Sequence, residues 1–448
     1  MALGHLHKSH DQELHLSVIV DAGSSGTRVH AFEFDVEELS TIQQVFSKKL
    51  KPGLSSCFKS QHQFSFESDV IKVPQAGGAH EHEYSGNFAA AFRCAYNQTN
   101  VLLESLLAAR DDIRSQRSDI PVFVRATAGL RLLPQKQRDV LLHATEVAVA
   151  DQKFAPASYE DQRPRVITGT EEAVYDWLAV NVAKVGLPRL RDALLDVKRE
   201  RTAADLPLMG VMDLGGASTQ IAFHDVSADS ECAHQQYFRG LGKVQLYAVS
   251  RLGFGVNELF QAALQEWTSQ EQHRSFPCRF RNGDEDDVDG TADFTLCRNF
   301  IKDSLLVPTA SQPSCWDKKV PDGVTFVAMD NLVKIAKLLF PERQFNTRSA
   351  QPVLQPPLDE FSDRAKKLCA MDLPDVRARR NSLTGAVLSE KSLPNACFIA
   401  CYAHALLTEV YGFDEHDQRI QFADNVGSVE ASWALGAAVF EFLSKNPI

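Results

Sequence analysis

Apolar residues along the 448-residue chain fall into two rhythms: short runs bounded by turn residues, and longer stretches with helical spacing. The short runs predict strands at Leu16–Val20, Val29–Phe34, Val122–Arg125, Val166–Thr168, Met209–Asp213 and Gln220–Phe223. Helices are predicted over Asn87–Ala109, Gln135–Ala150, Glu171–Val182, Leu332–Leu339, Phe398–Tyr411 and Ser432–Ser444. Strands alternating with helices indicate an α/β architecture. A chain of this length exceeds one ordinary core, so two lobes are expected. The acidic stretch Gly283–Asp293 and the proline-bearing Asn346–Pro357 read as surface excursions.

Two of the strand–turn–strand units are copies of one another. DAGSSGTR begins at Asp21 and DLGGASTQ at Asp213, 192 residues later, each after an apolar strand. The offset lays Gly23 on Gly215 and Thr27 on Thr219. Glycines let the backbone approach a phosphate and aim N–H groups at its oxygens, and small hydroxyl side chains add donors. An aspartate at the strand end can hold a hard cation through water. Two such hairpins facing each other would clamp a polyphosphate from both sides.

Between the copies lie two further strand-to-helix turns. ATAGLRLL (Ala126–Leu133) brings Thr127 and Gly129 to a loop end, and GTEEAVYDW (Gly169–Trp177) carries the adjacent carboxylates Glu171 and Glu172. A carboxylate there can take a proton from water attacking in line at phosphorus. The alternative is that both glutamates only cap a helix N-terminus, where negative charge is favoured. The chain has no G-x-S-x-G elbow, no Walker A lysine and no zinc-type His/Cys cluster, so direct attack by water is preferred.

Composition narrows the ligand more than the fold. With 44% hydrophobic and 23% charged residues the chain reads as a soluble globular protein, and its net charge of -11 argues against nucleic acid or anionic membranes as partners. No apolar run reaches the roughly 20 residues of a membrane span. The first 15 residues have no signal-type apolar region, so no targeting segment is expected in them. The acidic stretch lacks the final glutamate of a calcium loop, and His5, His7, His10, His15, His80 and His82 lack metal-ligand company. Cys278/Cys297 and Cys369/Cys397 each bracket a loop that a disulfide could clip in an oxidising compartment; nine unpaired thiols in a cytosolic protein is the other possibility. The sequon Asn97-Gln98-Thr99 fits a lumenal or secreted protein.

Taken in order, DAGSSGTR, ATAGLRLL, GTEEAVYDW, DLGGASTQ and SWALGAA (from Ser432) resemble the apyrase family of nucleoside triphosphate diphosphohydrolases, in the actin-like ATPase superfamily. The likeness runs from about Leu16 to the end. It implies two actin-like (ribonuclease H-like) α/β lobes with a central active-site cleft: 16–168, completed by the helix in 425–448, and 169–424, with nucleoside-binding insertions. It implies hydrolysis of terminal phosphates of nucleoside tri- and diphosphates with Mg²⁺ or Ca²⁺. Glu172 would be the general base and Thr127 would position the water or the metal shell. Asp21, Asp213 and Gln220 would hold the metal through water. Ser24, Ser25, Gly26, Thr27 and Arg28 would bind one phosphate, and Gly215, Gly216, Ala217, Ser218 and Thr219 another. Tyr402 is a candidate for base stacking and Asn257 for the ribose. Family members pair cysteines resembling Cys369 with Cys397 and bridge the region around Cys278, which places the chain in the secretory pathway or outside the cell. No C-terminal anchor is expected after the fifth motif.

This sequence departs from the family at Ala173, where a glycine is usual; the added methyl is expected to shift the turn slightly and spare activity. LGFGVNEL (Leu252–Leu259) resembles the lumenal, diphosphate-preferring branch, whereas GTADFTLC resembles the cell-surface branch. An exopolyphosphatase-like phosphatase and a slow nucleotide-binding switch of the same superfamily are the competing readings.

Overall fold

The computed structural model describes residues 14–35, 42–59, 70–74, 81–155, 163–196, 208–225, 233–269, 275–280, 290–306, 319–343, 354–385, 387–427 and 429–445. Most of Gly283–Asp293 and Asn346–Pro357, together with His5, His7, His10 and His80, lies outside them.

The first lobe is built on strands β1 (Leu14–Ala22), β2 (Thr27–Asp35) and β3 (Ile42–Leu50). A side hairpin, β4 (Val70–Pro74) and β5 (Glu81–Ser85), is followed by β6 (Val122–Ala126) and β7 (Arg165–Val166). The main sheet runs β3-β2-β1-β6-β7, antiparallel through its first three strands and parallel thereafter. The second lobe contributes β8 (Gly210–Leu214), β9 (Ser218–His224), β10 (Ala233–Phe238), β11 (Gly242–Leu252), β12 (Phe326–Asp330) and β13 (Ile420–Phe422), in the order β10-β11-β9-β8-β12-β13. Setting aside the edge strand β10, the remaining five repeat the first sheet's order and directions. The duplication reaches the register: Asp21 pairs with Arg28, and Asp213 pairs with Gln220. This paired topology is the actin-like, ribonuclease H-like fold.

Period-two alternation explains why the central strands read as unbroken apolar runs. On β1, Val18 and Val20 face a core with Leu102, Leu103 and Leu106 of helix α1 (Gly86–Ala109), while Ile19 faces the opposite core. On β8, Val211 and Met212 divide in the same way. Each such fully buried side chain contributes roughly 1.5–3 kcal/mol. Helix α2 (Gln135–Asp151) packs on α1.

Helix α3 (Gly169–Val185) occupies the space between the sheets, and every residue from Glu172 to Val182 is buried. Its core is shared with Ile19 and Phe123 of the first sheet, Val211 and Ala222 of the second, and α8 (Trp433–Lys445). A Cβ on Gly436 of α8 would stand 1.8 Å from the Tyr175 carbonyl oxygen, so only glycine permits this crossing. The inner face of α8 is further fixed by Glu441, which accepts from the wholly buried Arg125 of β6 at 2.7 Å.

The second lobe adds α4 (Val256–Ser269), α5 (Asn331–Leu339), α6 (Leu358–Cys369) and α7 (Ala396–Ala405), the last continuing as a π-turn over Leu406–Val410. Both cysteine pairs singled out by spacing, Cys278–Cys297 and Cys369–Cys397, are disulfides. A third bridge, Cys57–Cys94, joins the segment after β3 to α1 and has no signal in the spacing. The sequon lies inside α1, where the Thr99 hydroxyl is buried and donates to the Ala95 carbonyl. Among the described residues no helix is long and apolar enough to cross a membrane.

Candidate active site

The first hairpin turns at Gly23–Gly26 on a glycine-rich bed. A Cβ on Gly53 would fall 2.2 Å from the Gly23 carbonyl oxygen, and one on Gly129 would fall 2.7 Å from the Ser24 Cα. ATAGLRLL and the segment after β3 therefore support this turn from below. Lys49 of β3 donates to the Ser25 hydroxyl at 3.3 Å. The second hairpin is anchored by the start of α4. The N–H groups of Gly253, Val256 and Asn257 donate to the carbonyls of Ala217, Gly215 and Gly216. With those oxygens engaged, the turn has N–H groups to offer an anion. The hairpins meet: the Ser24 hydroxyl oxygen is 2.7 Å, and Asn257 Nδ2 2.9 Å, from where a Gly216 Cβ would stand.

The adjacent glutamates divide their work. Glu171 forms a capping box with Thr168 and an ion pair with Arg165, so the capping expectation holds for this residue. Thr168 is consequently the N-cap, which ends β7 at Val166 and starts α3 two residues before the predicted Glu171. Glu172 points inward. It pairs with Arg131 of ATAGLRLL and accepts from Gln220 Nε2 at 3.0 Å. Gln220 also donates to Ser218 and Ser250. The departing residue Ala173 is fully buried within α3.

Asp21, Asp176 and Asp213 are acidic neighbours of Glu172. Burial pushes the Glu172 carboxyl up to about 7, against the Arg131 guanidinium and with help from Asp21. Asp21 is raised to about 6 by burial, opposed by Arg28 and Lys49. Asp213 is driven well above the carboxylate range by burial and Asp330, and Asp176 by burial and Asp213. Asp330 goes the other way: burial works against its charge, yet Lys334, Lys49 and Arg28 hold it below the usual range. Asp330 ends β12 with φ of 49°, a conformation L-residues rarely adopt, and lies in register with Leu214 beside the second hairpin.

These shifts give a signed expectation. Any chemistry that needs ionised Glu172 should fall as pH drops through about 7. Arg131→Met removes a cation that stabilises that charge, so the acid limb of kcat/KM should move upward by about 1–3 units. An unmoved limb in the pH–rate profile would separate Arg131 from the base.

The sequence-predicted residues converge with exceptions. Thr127 follows β6, and its N–H donates to the Ala22 carbonyl at 3.3 Å. The Thr27 hydroxyl is buried against Gln98, and the Thr219 hydroxyl donates to the Asp213 carbonyl, so both hydroxyls are engaged within the protein. Arg28 is paired with Glu430 at 2.6 Å. Tyr402 is corrected: its ring is fully buried and its hydroxyl donates to the Phe254 carbonyl, so it does not present a stacking face. Asn257 sits beside the second hairpin, with its Nδ2 next to Gly216. Arg131, Asp176, Lys49 and Asp330 were not singled out. Arg131 and Asp176 stand inside quoted motifs, and their side-chain type was the available signal.

Two duplicated α/β lobes, with glycine-rich hairpins meeting at a buried glutamate, define the class of actin-like phosphate-handling proteins. Residues 7–70 and 90–447 match the GDA1/CD39 (nucleoside phosphatase) family, and the chain belongs to it. It is 26% identical over 465 residues to the nucleoside-diphosphatase mig-23 of Caenorhabditis elegans, covering 96% of this chain and 77% of that protein. To the Golgi apyrase of Saccharomyces cerevisiae it is 25% identical over 489 residues, covering 94% and 69%. A nucleoside triphosphate hydrolase structure from Neospora caninum superposes with a TM-score of 0.64 at 16% identity, covering 96% of this chain and 93% of that one. A Ppx/GppA structure from Aquifex aeolicus gives a TM-score of 0.50 at 14% identity, covering 97% and 99%, and supports the fold alone.

Proposed function

We propose that this chain hydrolyses terminal phosphates of nucleoside tri- and diphosphates, by direct in-line attack of a water that Glu172 deprotonates. The observation that carries this is the position of Glu172: buried, between the two hairpins, and oriented by Arg131 and Gln220. With its proton affinity raised to about 7, it is matched to accepting a proton at neutral pH. Ser24, Ser25 and Gly26 bind one phosphate, and the Gly215–Ser218 turn binds the other. Thr127 orients the water from the end of β6.

The residues fit a divalent cation, Mg²⁺ or Ca²⁺. Asp21 Oδ1, Asp213 Oδ1 and Gln220 Oε1 are buried oxygens without a hydrogen-bond partner among the described residues. Mg²⁺ usually keeps several of its waters, so these groups would hold it through water. When bound, the cation neutralises phosphate charge. Asp213→Asn should raise the Mg²⁺ concentration for half-maximal activity roughly 10–100-fold. A titration superimposable on wild type would remove Asp213 from that role.

The nucleotide specificity rests on relatives named both nucleoside-diphosphatase and nucleoside-triphosphatase, at 26% and 25% identity, so those names do not choose a chain length. A phosphate-release panel over ATP, ADP, UTP, UDP, GDP and polyphosphate, with Mg²⁺, Ca²⁺ or EDTA, tests the reading. Release from polyphosphate alone would favour the exopolyphosphatase alternative. Turnover far below roughly 1 s⁻¹ on every substrate, with tight binding, would favour a nucleotide switch. The lobes divide near residue 169 in this reading, and the disulfides support a location in the secretory pathway or outside the cell.

A further inference from the structure

One turn beyond Glu172 on α3 stands a carboxylate that the hydrolytic scheme leaves unused. Asp176 is 1% exposed, and neither of its carboxylate oxygens has a hydrogen-bond partner among the described residues. Its principal charged neighbours are Asp213, Glu172, Asp21 and Asp330, all acidic. Carboxyl groups buried beside one another must either keep their protons or take a cation between them.

A second observation points the same way. Gln220 is also 1% exposed; its amide nitrogen is committed to Glu172, Ser218 and Ser250, while its amide oxygen is unpartnered. Asp213 Oδ1 is a further unpartnered buried oxygen on the strand position paired with Gln220. Across Asp176, Asp213 and Gln220, every unpaired atom is therefore an oxygen acceptor. Hard hydrated cations supply what such a set lacks: positive charge, and water protons aimed outward at the oxygens. The cysteine trio Cys369, Cys397 and Cys401, which is compact enough for a bare ion, competes poorly because Cys369 and Cys397 are joined to each other.

We infer that Asp176, with Asp213 and Gln220, forms a seat for a hydrated divalent cation that this chain occupies before nucleotide arrives. The inference rests on the proposed metal-dependent reading and extends it. In that reading the cation can enter as a nucleotide complex, whereas the added carboxylate lets the protein hold it alone. The phosphate hairpins then receive their ligand against a charge already in place.

Direct binding to nucleotide-free protein tests this, with Mn²⁺ as the probe and free Mn²⁺ counted by electron paramagnetic resonance. Wild type should take up one Mn²⁺ per chain, and Asp176→Asn should bind roughly 10–100-fold more weakly. Mn²⁺ should also raise the wild-type melting temperature and raise that of the variant less. Asp176→Ala serves if the asparagine variant does not fold. No uptake by wild type, meaning that water alone satisfies these oxygens, overturns the inference; so does equal affinity in the variant. Phosphate release by wild type is scored separately, so loss of the cation seat leaves the hydrolase reading standing, and absence of hydrolysis removes that reading by itself.

Discussion

Glu172→Gln should bind nucleotide close to wild type and lose roughly 10²- to 10⁴-fold in turnover. The substitution keeps size and shape, and the new amide can still accept from Gln220 Nε2, now 3.0 Å from the carboxylate. What disappears is the proton acceptor. Arg131 loses its counter-charge too, but it remains tethered by the glycine-supported loop that carries it. Calorimetric nucleotide binding beside steady-state phosphate release separates chemistry from assembly. A near-normal rate would remove Glu172 as base, and loss of both binding and rate would make it a structural residue.

The second large effect concerns stability. Glu441→Leu should destabilise the fold by about 3–5 kcal/mol, because it removes the carboxylate that pairs with a buried guanidinium. Arg125 is wholly buried and pairs with Glu441, and it also donates to the Val124 and Arg163 carbonyls. Converting both partners to leucine should recover most of the loss, since a well-packed apolar pair avoids the desolvation cost. Denaturant midpoints for the two single variants and the double variant provide the measurement. A change under about 1 kcal/mol in Glu441→Leu would show that water reaches the pair.

The sequence carried the duplicated hairpin well because strand, turn and strand are local, and the same offset that aligns Asp21 with Asp213 also aligns their partners Arg28 and Gln220. Glu172 was legible as a pair with Glu171, but which of them capped the helix was a question of helical phase, and Thr168 decided it. Tyr402 illustrates the opposite case. An aromatic residue on an apolar helix has the same signature whether it lines a pocket or fills a core, and here it fills the core. Arg131 and Asp176 depended on long-range packing, as did the Cys57–Cys94 bridge. Local pattern contains no record of which distant side chain a motif residue will meet.

The placement of α3 between the two sheets has a mechanical consequence. A group on an axle sweeps little arc while points on the rims travel far. Each glycine-rich hairpin belongs to one sheet, whereas Glu172 rides on the helix that packs against both and is clasped by α8 at Gly436. Were one lobe to swing against the other, the hairpins would move around a nearly stationary Glu172. In the proposed mechanism, alignment of the reacting phosphorus would then depend on how far the rims had turned, with Glu172 as the fixed point of reference.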